Sequence, residues 1–248
     1  MIHNIFFLLL RTHTIFGALI PDYDTNCDAL RSTPLEVIIQ DSTITNFLEK
    51  EVPMNIHQIW FGDPNKVPSR TSKWEKYRST GWKYRLWTEK DEKEIKKFVS
   101  RRNFDLLKSL LAHKSWWAAS DLLRYELIRE FGGIYLDCDF AAPENEDGNI
   151  PLENIFRLKG ATFVTEHKGR DIGTGNALFV MNGILCAPAH HPLFEHLCDT
   201  IYMHVLQWKG SKGDYNAMYC TGPFFLNRCL NGPFQVLPIQ YIHPIMID

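Results

Sequence analysis

The stretch Trp116 to Phe140, WWAASDLLRYELIREFGGIYLDCDF, constrains this chain more than any other. Its first half repeats apolar residues at helical spacing. Its second half is a short apolar run that ends in two carboxylates, Asp137 and Asp139. Gly132 and Gly133 stand between the halves. A glycine pair stops a helix and permits a tight entry into a strand. The spacing predicts a helix over about Trp116 to Phe131 and a strand over Ile134 to Asp137.

Elements of the same two kinds alternate along the rest of the chain. Ile56, Ile59, Trp60 and Phe61 read as a buried first strand closed by a Gly-Asp-Pro turn. Ser69 to Thr80 reads as a polar helix, Trp82 to Trp87 as a second strand, Glu89 to Ser100 as a charged helix capped by Thr88, and Phe104 to Ala112 as another helix. Apolar runs follow at Ala161 to Val164 and Ala177 to Val180, with Gly173 to Asn176 as the loop between them. Pro192 to Gln207 is an amphipathic helix, Thr221-Gly222-Pro223 opens a short one, and Phe234 to Ile247 is extended. Strands alternating with helices predict an α/β domain with a mostly parallel central sheet flanked by helices. Residues 1–50 are expected to be a helical N-terminal extension, and residues 51–248 the domain itself.

The central stretch also carries the chemistry. Asp121, Arg124 and Tyr125 stand at helical spacing and share one face. Asp137 and Asp139, two apart on a strand, are expected to point one way while Cys138 points the other. Carboxylates at the carboxyl end of a buried strand lie where open α/β sheets bind ligands. Oxygen ligands of this kind suit a hard divalent cation, Mn²⁺ or Mg²⁺, which shares its remaining positions with water and a phosphate. Several of the 7 tryptophans fall in polar stretches, which hints at flat surfaces for rings or sugars, although core and boundary packing is the expected role of most of them.

The segment SDLLRYELIREFGGIYLDCDF resembles the DXD-containing sugar-binding region of retaining glycosyltransferases with the GT-A fold. That family includes the fungal initiating mannosyltransferases and is distantly similar to the clostridial glucosylating toxins. His57-Gln58-Ile59-Trp60-Phe61-Gly62, Trp82 to Trp87, Asn182-Gly183-Ile184 and His191-Pro192 extend the resemblance from about Asn55 to Pro244. The resemblance implies a GT-A, Rossmann-like nucleotide-sugar-binding domain. It implies that Trp60 stacks on the nucleotide base and that Asp121 and Arg124 hold the donor sugar. Asp137 is implied to contact ribose and sugar hydroxyls and to lie at the metal. Asp139 is the implied direct metal ligand, and Asn182 the residue near donor sugar or acceptor. The family continues into a further His and Trp, whereas this chain stops at Asp248 after Ile242-His243-Pro244, so either His243 serves there or that element is missing.

The implied activity is transfer of a sugar from a UDP- or GDP-linked donor to a glycan, lipid or protein acceptor with retention. Two other readings stay open: a non-catalytic sugar-nucleotide binder of the same fold, and a HAD-type phosphatase, in which the first Asp of the pair is a nucleophile. A net charge of -2 gives no electrostatic case for nucleic acid as a partner. The apolar run Ile5 to Leu10 is broken by Arg11 and His13 and is too short to span a bilayer, so no spanning segment indicates a membrane, and a secretory-pathway or membrane-associated setting stays open. The 6 cysteines form no CxxC pair and the sequence has no Asn-x-Ser/Thr sequon, which favours a reducing, cytoplasmic setting.

Overall fold

The computed structural model describes residues 7–10, 47–145, 148–149, 151–156, 158–165, 179–212, 217–230 and 232–237. A seven-stranded sheet runs through it. Its strands are β1 (Phe7–Leu10), β2 (Asn55–Ile59), β3 (Lys83–Trp87), β4 (Gly133–Leu136), β7 (Thr162–Thr165), β8 (Val180–Ala187) and β9 (Gly232–Leu237). The small pair β5 (Glu144–Asn145) and β6 (Gly148–Asn149) forms a separate hairpin. The spatial order is β1-β9-β7-β8-β4-β2-β3. The helices are α1 (Glu92–Phe98), α2 (Arg101–Ala112), α3 (Trp116–Phe131), α4 (Pro192–Lys212), α5 (Ala217–Cys220) and α6 (Pro223–Cys229).

The sheet is mixed rather than mostly parallel. β3, β2 and β4 run parallel, as do β7 and β9. β8 runs antiparallel to both of its neighbours, β4 and β7, and β1 is antiparallel to β9. The sequence gives little sign of β8, because Asn182 and Gly183 interrupt its apolar pattern. Ser69–Thr80 is a 3₁₀ helix, and Glu89–Asp91 adds a 3₁₀ turn ahead of α1. In the expected helical extension, residues 7–10 form a strand and Phe47-Leu48 a helical turn. The rest of residues 1–46, the Gly173–Asn176 loop and His243 lie outside the described residues.

Alternation along the strands divides the core in two. Ile59, Tyr135, Phe163 and Leu185 face α3 and α4, while Ile56, Ile134, Leu136, Ile184 and Cys186 face Trp74, Tyr77 and Phe156. The helix α3 is buried nearly all round, from Ala118 to Ile128, so it is the spine of the larger core. Its C-terminal end turns through Gly132 at φ +59 and Gly133 at φ +102 straight into β4. A Cβ on Gly133 would lie 2.4 Å from the Asn55 carbonyl oxygen on β2, so no side chain fits there. The turn therefore locks α3 antiparallel to β4. The N-terminus of α3 then lies beside the carboxyl ends of β4 and β2.

Gly133→Ala is expected to remove the cooperative unfolding transition or lower its urea midpoint severely. Gly81→Ala is the control: it shares a left-handed backbone at φ +95 but meets only the end of Met54 at 3.6 Å. Its cost should stay near about 1–2 kcal/mol. Equal losses in the two variants would contradict this account of the turn.

Candidate active site

The predicted helix face converges on the end of β4. The Arg124 Nη2 lies 3.1 Å from an Asp121 carboxylate oxygen and 3.1 Å from Oδ1 of Asp137. Its Nη1 donates to the Asn182 carbonyl at 2.7 Å, and its guanidinium lies 4.6 Å from the Tyr135 ring centroid. Asp121 accepts from the Asn182 amide at 2.7 Å and from the Thr221 hydroxyl at 2.9 Å. Tyr135 donates its hydroxyl to Asp137 Oδ1 at 2.6 Å. Asp121, Arg124, Asp137 and Asn182 thus form one connected cluster. Asp121 and Arg124 are buried, whereas the Asp137 side chain keeps 37% of its exposure and remains open to solvent.

The two DXD carboxylates are not brought together by strand alternation. β4 ends at Leu136, and Asp137, Cys138 and Asp139 continue as a turn closed by the Phe140 amide donating to the Asp137 carbonyl at 3.2 Å. Cys138 does point inward, with its thiol 3.1 Å from the Ile59 carbonyl. Asp139 is exposed on the turn, and Arg70 holds its backbone carbonyl at 3.0 Å. From the buried side, the Gln58 amide donates to the Asp137 carbonyl at 3.2 Å and accepts from the Tyr84 hydroxyl at 3.0 Å. Trp60 stands apart from the cluster, on the loop after β2, with its indole N–H on the Asp63 carbonyl at 2.9 Å.

Sequence reasoning missed Tyr135, Thr221 and Gln58. Tyr135 is two residues before Asp137, and that spacing on a strand was a usable signal. Thr221 lies 100 residues from Asp121, and nothing local marks it as a partner. Tyr125, placed on the helix face by its spacing, donates its hydroxyl to the Thr221 carbonyl at 2.8 Å and so steadies the same segment.

Gly183 faces the cluster, and a Cβ there would lie 2.9 Å from Asp137 Oδ2. The glycine that obscures β8 in the sequence is what leaves room for the carboxylate. Behind the site, burial pushes His57 down to about 4, so its ring is neutral at physiological pH. Its Nδ1 accepts the Trp87 indole N–H at 3.2 Å, which leaves Nε2 to donate to the Gly132 carbonyl at 3.1 Å. His57 therefore ties β2 and β3 to the glycine turn.

Burial pushes the Asp121 carboxyl up from 3.8 to about 6, against the opposing pull of Arg124. A raised carboxyl favours folding while protonated. Its contribution is complete below about pH 3.8 and is lost as pH rises through about 6. Urea midpoints from pH 3.5 to 7.5 for the wild type and Asp121→Asn check this. The wild type should lose stability relative to the variant between about pH 4 and 6 and then stay level. A difference independent of pH would contradict it.

Known proteins resemble the chain in sequence and in fold. Residues 64–154, which contain Asp121, Arg124, Asp137 and Asp139, match the family described as a glycosyltransferase sugar-binding region containing a DXD motif. An uncharacterised glycosyltransferase of Acanthamoeba polyphaga mimivirus is 26% identical over 157 residues, 61% of this chain and 56% of that protein. The chain thus spans little more than half the length of this curated relative. Among solved structures, the PaToxG glycosyltransferase superposes with a TM-score of 0.51 at 16% identity, over 76% of this chain and 72% of that one. A weaker likeness, with a TM-score of 0.43 at 10% identity, joins 83% of this chain to 76% of the catalytic domain of alpha-toxin from Clostridium novyi. The match thus covers the segment that carries the DXD pair, and the mixed sheet shares its fold with a glycosyltransferase of known structure.

Proposed function

We propose that the chain transfers a sugar from a nucleoside-diphosphate donor, UDP- or GDP-linked, to a glycan, lipid or protein acceptor with retention of anomeric configuration. The observation that carries this reading is the Arg124 cluster at the carboxyl end of β4, with an exposed acid two residues beyond it. Asp121 and Arg124 hold the donor sugar, and Asn182, bonded to both, borders it. Asp137 meets ribose and sugar hydroxyls from the exposed part of its carboxylate. Trp60 stacks on the base.

The donor set fits a hard cation held largely by its ligand. Asp139 presents an exposed carboxylate, and no cluster of three His, Cys, Asp or Glu side chains occurs among the described residues. Asp137 is already engaged by Arg124 and Tyr135. Asp139, with Asp137 beside it, would hold Mn²⁺ or Mg²⁺, leaving the other positions to water and the diphosphate. When bound, such a cation neutralises charge that builds on the leaving diphosphate. Positive charge developing on the sugar ring is met by the carboxylates of Asp121 and Asp137, the former ionised above about pH 6. The ion pair and hydrogen bond on Asp137 speak against a HAD-type nucleophile, which must be free to attack phosphorus.

Hydrolysis of UDP-glucose, UDP-N-acetylglucosamine and GDP-mannose with Mn²⁺ or Mg²⁺ tests the reading. At least one donor should be hydrolysed. Asp139→Ala should reduce that rate by about a hundredfold while leaving the unfolding midpoint within about 0.5 kcal/mol of wild type. Binding of sugar nucleotide without any turnover would favour the non-catalytic binder. Release of phosphate from simple phosphoesters would favour the phosphatase.

A further inference from the structure

Trp117 is exposed over 84% of its surface, more than any other large hydrophobic side chain among the described residues. Its place on α3 makes that unusual. At 3.6 residues per turn it projects between Asp121, about 40° to one side, and Arg124, about 20° to the other. Both of those side chains are buried against the sheet. Trp117 faces the same way but sits one turn nearer the helix N-terminus, beyond the carboxyl ends of β2 and β4. The direction that buries its neighbours therefore carries it past the carboxyl edge of the sheet, where it is exposed. Helical side chains lean toward the N-terminus, so Asp121 reaches back toward the turn that carries Trp117.

Neighbouring residues fix the place further. The ring of Trp116 lies 3.4 Å from where a Cβ on Gly62 would be, which joins the first turn of α3 to the loop holding Trp60. Trp116 is 39% exposed and is partly used in that contact, whereas Trp117 is 84% exposed. We propose that Trp117 is the stacking platform for a pyranose ring of the acceptor, so that the acceptor class is a saccharide. The inference rests on the glycosyltransferase reading above. The base is assigned to Trp60 and the donor sugar to the deeper Asp121–Arg124 pair, so a ring at the mouth belongs to the other substrate. A tryptophan face is flat, apolar and matched in size to the C–H face of one sugar.

Two measurements on wild type, Trp117→Ala and Trp117→Phe test this. The probes are a panel of methyl hexopyranosides and hexose disaccharides. Saturation-transfer NMR reads their binding without turnover, and product formation is compared with donor hydrolysis in Mn²⁺. In Trp117→Ala, probe signals should disappear, and transfer kcat/KM should fall about tenfold, chiefly through KM, with hydrolysis within about twofold of wild type. Trp117→Phe should recover most of both. Equal probe signals in wild type and Trp117→Ala, or transfer and hydrolysis falling together, would overturn the platform. So would the absence of any probe signal in the wild type, as expected of a lipid or peptide acceptor. A wild type that hydrolyses no donor would instead count against the glycosyltransferase reading, and the NMR comparison would still decide Trp117.

Discussion

The buried guanidinium of Arg124 is the constraint on which the rest of the site depends. It is held between two carboxylates and a backbone carbonyl, over the ring of Tyr135. A charge in that position is tolerable only with its partners in place. Buried ion pairs rarely add net stability, yet removing one partner typically costs about 3–5 kcal/mol. The cluster therefore serves to fix positions. It joins the helix that carries Asp121 to the turn that carries the DXD pair, and joins both to β8 through Asn182.

Supports around it hold the backbone as firmly as the side chains. The Gly132-Gly133 turn sets how α3 enters β4, and the neutral ring of His57 bonds to that turn from behind. Gln58, fed by the Tyr84 hydroxyl, grips the carbonyl of Asp137. His57 and Gln58 belong to β2, so the IHQIW segment places the acids as well as leading into Trp60. Exposure then grades outward along one line: Asp121 and Arg124 are buried, Asp137 is partly open, and Asp139 and Trp117 are exposed.

The central unit was legible because its signals are local. Helical spacing, a glycine pair and an apolar run ending in acids predicted α3, the turn and β4 almost residue for residue. Four of the site residues, Asp121, Arg124, Asp137 and Asn182, do meet. What escaped was long-range. A mostly parallel sheet followed from counting alternating elements, but β8 returns antiparallel, and its pattern is broken by Asn182 and by the Gly183 that makes room for Asp137. Thr221 reaches Asp121 only through the packing of the short C-terminal helices on α3. Strand alternation placed Asp137 and Asp139 on one side, whereas a turn carries them, because the chain leaves the sheet at Leu136.

The most direct measurement is calorimetric titration of wild type and Asp121→Asn in Mn²⁺. Each protein is titrated with UDP and GDP and with the corresponding sugar nucleotides. If the Arg124 cluster reads the donor's sugar, the variant should lose about tenfold in affinity for the preferred sugar nucleotide and keep its affinity for the bare nucleotide within about twofold. Equal losses for both ligands, or no loss for either, would contradict the account.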